Sequence, residues 1–188
     1  QYKNESGKIN TKEFLYEIVD DQKIQSQLWH KVFKRELFDG IVFPTNVVCM
    51  EDYAVLHDII EKSKNIYYMQ NYLYFYRVRN DGLVKSINLD KSYFCYRIAK
   101  NRYESLNERY PDIRKIGYLM QAMGFCLQYS SLSKAECNGY QDKYIICYRE
   151  VSNNLKELLM SRYCGSSIKI KFILCYFELL GIAYAINN

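Results

Sequence analysis

Apolar residues recur at helical spacing along most of the chain. Between residues 51 and 62, four apolar side chains share one face of a helix, and an acidic pair occupies its first turn. The four are Val55, Leu56, Ile59 and Ile60, and the pair is Glu51 and Asp52. Negative charge at this end complements the helix dipole, so the pattern predicts a helix from Glu51 to Lys62.

The same spacing predicts further helices before and after this one. They are Lys12–Val19 behind a Thr11 cap, Gln25–Phe33, Leu89–Arg109, Ile113 to about Ser130, a helix through Ile145 and Leu159, and Ile168–Ile186. The short Gln25–Phe33 helix is expected to bury Leu28, Trp29 and Val32. The helices beyond residue 88 indicate an antiparallel helical bundle.

A different pattern occupies residues 65–78, where Tyr and Phe dominate. Such aromatic runs are typical of strands, and Gln70-Asn71 divides this one into two predicted short strands. Residues 1–10 are polar and predict a flexible or extended lead-in, while residues 38–49 predict a loop. The expected fold class is mainly α with a small β element.

Composition narrows the class of protein only slightly. The 188 residues include 49% hydrophobic and 25% charged residues, which is ordinary for a globular protein. The formal charge of +5 permits contact with phosphates but selects no partner. Seven cysteines without metal-binding spacing indicate reduced, buried thiols of a cytosolic protein. The apolar stretch Phe172–Ile186 contains Glu178 and is too short to span a membrane.

Several catalytic motifs are missing from the sequence. It contains no Gly-rich phosphate loop, no paired-His zinc motif, no Gly-x-Ser-x-Gly and no Asp-x-Asp. With only two histidines, His30 and His57, a nucleophile–histidine triad is not expected. The candidate chemistry is Glu51-Asp52, since a carboxylate facing a cleft can act as a general base. The alternative is that both residues simply cap the helix.

Five short motifs occur in order across the first part of the chain. They are Trp29-x-Lys31-x-Phe33-Lys34-Arg35, Phe43-Pro44, Glu51-Asp52 with its apolar helix, the Tyr-rich run, and Tyr74-x-Tyr76-Arg77. Their order and spacing resemble the second half of bacterial family 2 glycosyltransferases. The resemblance covers about Thr11 to Ser86. Two positions depart from the pattern: His30 stands where Asn is usual, and Leu83 stands where Ser follows the Gly.

The resemblance implies a GT-A fold and inverting sugar transfer from a nucleotide-diphosphate sugar to an acceptor hydroxyl. Asp52 would be the catalytic base, and Glu51 would support it or hydrogen-bond the acceptor. Trp29 would line the acceptor side, and three cations would reach the donor phosphates. These are Lys31, Arg77 and Arg79. Each of these four side chains has an alternative structural or surface role.

The resemblance also implies that the family's nucleotide-binding half lies upstream of Gln1. Residues 1–88 would then be the acceptor-side half of a GT-A-like domain, and residues 89–188 a helical extension. A divalent Mn or Mg ion would be held by the upstream half, so this chain alone is expected to be inactive. The implied acceptor is a glycan or lipid-linked glycan, handled in the cytoplasm at the inner face of the membrane. The basic, aromatic helix near the C-terminus suits that surface, although packing in the bundle is its other use.

Two other classes fit parts of the pattern. A non-catalytic helical interaction module accounts for the amphipathic helices and for the absent donor site. A nucleic-acid binder would use Tyr with Lys and Arg, and it would bind with a steep salt dependence. The scattered basic residues do not favour this second class.

Overall fold

A computed structural model describes residues 6–20, 24–45, 50–71, 73–75, 77, 88–105 and 108–179. The chain forms two compact units, Gln1–Ser86 and Ile87–Asn188. Within the described residues there are seven α-helices and a two-stranded antiparallel sheet. The mainly α fold with a small β element is therefore confirmed.

The first unit is built on two helices and the sheet. Its elements are β1 (Gly7–Ile9), α1 (Thr11–Asp20), a 3-10 turn (Arg35–Phe38), α2 (Glu51–Lys62) and β2 (Ile66–Tyr68). Helix α1 packs on α2, and their facing side chains form the core. The largest fully buried members of this core are Leu15, Leu56 and Ile59.

Helix α1 begins at Thr11, the residue that was predicted to be its cap. The backbone N–H of Glu13 donates to Oδ1 of Asn10 at 2.9 Å, and Oε2 of Glu13 accepts from the N–H of Asn10 at 3.3 Å. This reciprocal pair is a capping box, in which Asn10 and not Thr11 satisfies the open amides. Thr11 is the first residue of the helix.

The predicted Gln25–Phe33 helix is absent, and the described residues 24–34 form turns and extended chain. In a helix the N–H of Leu28 would donate to the carbonyl oxygen four residues earlier, but here it donates to Asp52. The Lys31 ammonium takes the carbonyls of Gln25 and Gln27 as acceptors. Consequently Val32, predicted to be buried, is fully exposed.

The sheet differs from the prediction of two short strands within residues 65–78. Strand β2 pairs with β1, with Gly7 opposite Tyr68 and Ile9 opposite Ile66. Residues 73–75 and 77, predicted as part of a second strand, have no strand conformation. The partner strand lies in the polar lead-in, where Ile9 is the one buried side chain among the described residues 6–10.

The second unit contains the helical bundle. Its helices are α3 (Leu89–Ser105), α4 (Pro111–Ser131), α5 (Gln141–Asn153), α6 (Leu155–Met160) and α7 (Ser166–Tyr176). Tyr93 contacts Phe125 and Tyr103 contacts Tyr118, so α3 and α4 run antiparallel. Phe125 and Phe172 are completely buried at the centre.

Two predicted helices of the bundle differ from the observed ones. The helix through Ile145 and Leu159 is interrupted at Asn154, whose side-chain Nδ2 donates to the carbonyl oxygen of Glu150 at 2.7 Å. That bond satisfies an open carbonyl near the end of α5. The last helix ends at Tyr176 in a turn, and the remainder of its predicted length from residue 180 lies outside the described residues.

A polar network joins three helices of the bundle. The carboxylate of Glu150 on α5 pairs with the ammonium of Lys100 on α3. It also accepts hydrogen bonds from the phenols of Tyr96 and Tyr118, each at 3.3 Å. Burial and the Glu150 charge raise the pKa of both phenols, so they remain protonated donors.

Candidate functional site

Asp52 lies at the second position of α2 and is half-buried. Its Oδ2 accepts a hydrogen bond of 3.0 Å from the backbone N–H of Leu28, across 24 residues of sequence. Glu51, one residue earlier, is exposed. The two adjacent carboxylates therefore have different surroundings, and only Asp52 is tied to the preceding segment by this bond.

The residue before this pair has an unusual backbone conformation. Met50 adopts φ 65° and ψ 25°, the left-handed region, as the cap of α2. For a residue with a Cβ this conformation costs on the order of 1–2 kcal/mol. Strain of this kind is often found at functional sites and makes the carboxylate pair worth testing.

Trp29 forms an aromatic surface with its neighbours. Its ring centroid lies 4.7 Å from that of Tyr74 and 4.7 Å from that of His30. The indole is 38% exposed and the Tyr74 side chain 53% exposed. Trp29 follows Leu28 in the chain, so the hydrogen bond to Asp52 also holds this surface near the carboxylate. We call Leu28, Trp29, His30, Lys31, Asp52 and Tyr74 the Asp52 cluster.

His30 is a neutral acceptor within this cluster. The Lys31 ammonium donates to its Nε2 at 2.9 Å, which requires that nitrogen to be unprotonated. Burial, and then the neighbouring Lys31 charge, lower the pKa of His30 to about 4, against an opposing effect of Asp52. His30 therefore adds an uncharged, hydrogen-bonding ring beside the indole at neutral pH.

Lys31 also stabilises the turn that contains Trp29. Its ammonium donates to the carbonyl oxygens of Gln25 and Gln27, each at 2.5 Å. These bonds give Lys31 the structural role that was the alternative to substrate binding. Contact of Lys31 with a donor phosphate stays a prediction. Arg77 is exposed, and Arg79 and Leu83 lie outside the described residues.

Three members of the Asp52 cluster, Leu28, His30 and Tyr74, were not among the predicted site residues. In the sequence, His30 is only a departure from the family pattern, and Tyr74 is only one residue of a motif. The adjacency of His30 to Trp29 was visible in the sequence, but the approach of Tyr74 depends on the path of the chain. The role of Leu28 rests on its backbone, so no side-chain pattern could have indicated it.

The implied divalent ion finds no ligand set here. Among the described residues, no group of three or more His, Cys, Asp or Glu side chains is arranged to hold a metal. The residues of the Asp52 cluster do not fit such an ion, and we derive no step through one. No helix within the described ranges has both the length and the apolar character needed to cross a membrane.

The second unit has an open groove of about 570 Å³. Ile116, Leu119 and Leu158 are among its apolar lining residues, while Lys115 and Glu157 form an ion pair in its wall. Asp112, Lys156 and Arg162 also line the groove, so its apolar surface is bordered by charges of both signs.

A scan against protein-family models, a search of curated proteins and a search of solved structures each gave no match to this chain. The functional assignment therefore rests on the motifs and on the geometry of the Asp52 cluster.

Proposed function

We propose that the first unit is the acceptor side of an inverting, GT-A-type glycosyltransferase, with Asp52 as the catalytic base. One observation carries the proposal: a half-buried carboxylate at a helix start is tied to a segment that presents a partly exposed indole. The ordered motifs between Trp29 and Arg77 support the same assignment. Residues 1–88 would form this catalytic half and residues 89–188 its helical extension.

Asp52 has the acceptor capacity that a base needs. A carboxylate has about four acceptor positions, and the bond from Leu28 occupies one of them on Oδ2. In the proposed reaction the Asp52 carboxylate takes the proton of the acceptor hydroxyl, and the oxygen of that hydroxyl attacks the anomeric carbon. The bond from that carbon to the nucleotide diphosphate breaks, and the diphosphate leaves with the electron pair. Attack from the opposite face inverts the configuration.

The aromatic surface supplies the acceptor contact. Trp29 and Tyr74 offer ring faces on which the apolar face of a sugar can lie, while their polar edges remain available for hydrogen bonds. Glu51, one position from Asp52 and exposed, would hydrogen-bond the acceptor. Arg77 and Arg79 would contact the donor phosphates, and Lys31 would do so only by releasing its carbonyl partners.

The proposal also includes a donor, an acceptor and a nucleotide-binding half. The donor is a nucleotide sugar, and the acceptor is a glycan or a lipid-linked glycan. The nucleotide-binding half and the residues for Mn or Mg would lie upstream of Gln1, in a cytoplasmic enzyme working at the inner face of the membrane. This arrangement assigns the described chain to acceptor binding and proton removal.

Acceptor binding can be tested with the 188-residue chain alone. Trp29 is the only tryptophan, so intrinsic emission reports on the Asp52 cluster directly. We expect oligosaccharides from a panel to shift this emission with saturation, and Tyr74→Ala to weaken the response. Phe75→Ala is the matched control, because Phe75 is adjacent and 94% exposed. An equal loss in both variants would argue against a ring-specific site.

Catalysis is tested in the chain extended upstream of Gln1. We would measure acceptor-dependent release of nucleotide diphosphate, with Mn²⁺ or Mg²⁺ and a panel of nucleotide sugars. Asp52→Asn should lower turnover by about 100-fold or more, while Asp58→Asn on the same helix should leave it nearly unchanged. Turnover that survives Asp52→Asn would exclude Asp52 as the base. No turnover and no nucleotide binding would favour the alternative, a non-catalytic helical interaction module.

A further inference from the structure

Helix α7 of the second unit is apolar on two opposite sides. One side packs against α4, α5 and α6. Its side chains, Ile168, Phe172 and Cys175, are 6%, 0% and 1% exposed. These three residues, spaced four and three apart, lie on the side of α7 that faces the bundle.

The opposite side carries a second apolar row, which we call the outer stripe. It consists of Ile170, Ile173, Leu174 and Phe177, at the spacing of neighbours on one helix face. Ile170 is 57% and Phe177 61% exposed, and the two residues between them are half-buried. A helix that is apolar all round is expected to be covered all round. The described residues of the second unit cover the outer stripe only in part.

Two lysines lie along the margins of the outer stripe. Lys169 and Lys171 flank Ile170 in sequence, and at about 100° per residue they fall on opposite edges of the row. The helix itself contains no Asp or Glu, and Glu178 follows beyond its end. Lysine stems can lie along an apolar surface while their ammonium groups reach outward. The face therefore combines an apolar centre with positive edges.

We propose that the outer stripe docks α7 on the surface of an anionic lipid bilayer, with the helix in the plane of the interface. Apolar residues would enter the headgroup boundary, and the lysines would meet lipid phosphates or carboxylates. A second copy of the chain fits less well, because a two-fold interface would bring the lysine margins together. An acidic protein fits less well too, because the outer stripe lacks hydrogen-bonding side chains, whereas protein interfaces carry about ten hydrogen bonds.

Vesicle flotation tests the proposal with the 188-residue chain. The probes are phosphatidylcholine vesicles with and without added phosphatidylserine. We expect binding to the anionic vesicles and much weaker binding to the neutral ones. Phe177→Ser should reduce the partition coefficient about tenfold or more, since it removes a large apolar side chain. Lys171→Glu should reduce it by about fivefold or more at low salt.

Matched variants separate docking from folding. Met160 is 77% exposed and Lys156 is also exposed, both on α6 and away from the outer stripe. Met160→Ser and Lys156→Glu should leave flotation unchanged, and circular dichroism should show that all four variants keep their helices. Equal binding to neutral vesicles, or equal loss in the α6 variants, would overturn the proposal. So would the absence of flotation, whether or not the chain dimerises or binds an acidic protein.

The docking proposal goes beyond sugar transfer and does not depend on it. Asp52→Asn should lower turnover by about 100-fold or more without changing flotation. Phe177→Ser should change flotation without altering the emission response of Trp29 to saccharides. Failure of one proposal is therefore distinguishable from failure of the other.

Discussion

The backbone N–H of Leu28 donates to Oδ2 of Asp52 at 3.0 Å. This single bond joins the start of α2 to a turn 24 residues earlier, and it removes the donor that a helix through residue 28 would have used. Asp52 thus has a structural role that is independent of any catalytic one. Substitutions at this position can separate the two roles.

Asp52→Ala is expected to destabilise the first unit more than Asp52→Asn. Alanine leaves the Leu28 N–H without its acceptor, which should cost about 1–2 kcal/mol. Asparagine keeps an oxygen at that position and loses only the charge at the helix start, about 0.3–1 kcal/mol. Urea unfolding followed by Trp29 emission measures the difference in this unit. Equal losses in the two variants would contradict the assigned hydrogen bond, and Glu51→Gln is the control for the charge alone.

His30 should titrate far below an ordinary histidine. Its pKa of about 4 lies below the usual 6.5, so between these values the unfolded chain holds a proton that the folded chain does not. Folding stability should therefore fall as the pH drops through this window, and His30→Gln should flatten that dependence. An NMR titration can follow the ring directly, because His57 is the only other histidine. A measured pKa near 6.5 for His30 would contradict its described surroundings.

Glu150→Gln should destabilise the helical bundle. It removes the closer of the two carboxylates beside the Lys100 ammonium, which is 30% exposed, and leaves Glu104 at 3.9 Å. It also weakens the hydrogen bonds from two tyrosines. We expect a loss of about 1–3 kcal/mol in the free energy of unfolding, measured by circular dichroism in urea. Glu157→Gln is the matched control, since Glu157 is 58% exposed in its pair with Lys115. Glu157→Gln should lower the free energy of unfolding by less than about 1 kcal/mol. A larger loss in this variant than in Glu150→Gln would contradict the prediction.

The buried thiols should resist modification in the folded chain. A hydrogen bond with Cys175, together with burial, raises the pKa of Cys126, and burial raises that of Cys147 to about 12. Thiolates are the reactive form, so neither should react with iodoacetamide at neutral or mildly alkaline pH. Cys95, which is half-buried, should be modified first among these three. Site-resolved mass spectrometry before and after unfolding measures this order, and early labelling of Cys126 would contradict it.

The long helices were predictable because packing and periodicity agree there. Helix α2 has the bounds predicted from its apolar row, Glu51 to Lys62. Helix α4 begins and ends close to the first and last residues predicted from its apolar positions. Five of the six described cysteines are buried, as their apolar surroundings indicated. In these regions each residue's environment is set mainly by neighbours three and four positions away.

The errors arise where distant groups compete with local propensity. The turn through Trp29 replaces a helix because Asp52 and the Lys31 ammonium take up its backbone groups. The partner of β2 lies about 60 residues earlier, in a segment with little apolar signal. For the candidate site, the sequence indicated Asp52 and Trp29, but not the position of Tyr74 beside the indole. Long-range pairings of this kind leave no periodic pattern.

The pairing of β1 with β2 also bears on the order in which the chain folds. Gly7 lies opposite Tyr68, so the first unit closes a loop of about 60 residues before its sheet exists. Such closure carries an entropic penalty and slows folding relative to the more local contacts of the bundle. During synthesis the N-terminal strand must wait for β2 to emerge. A chain shortened to begin at Thr11 would leave β2 with an open edge, on which a second molecule can pair.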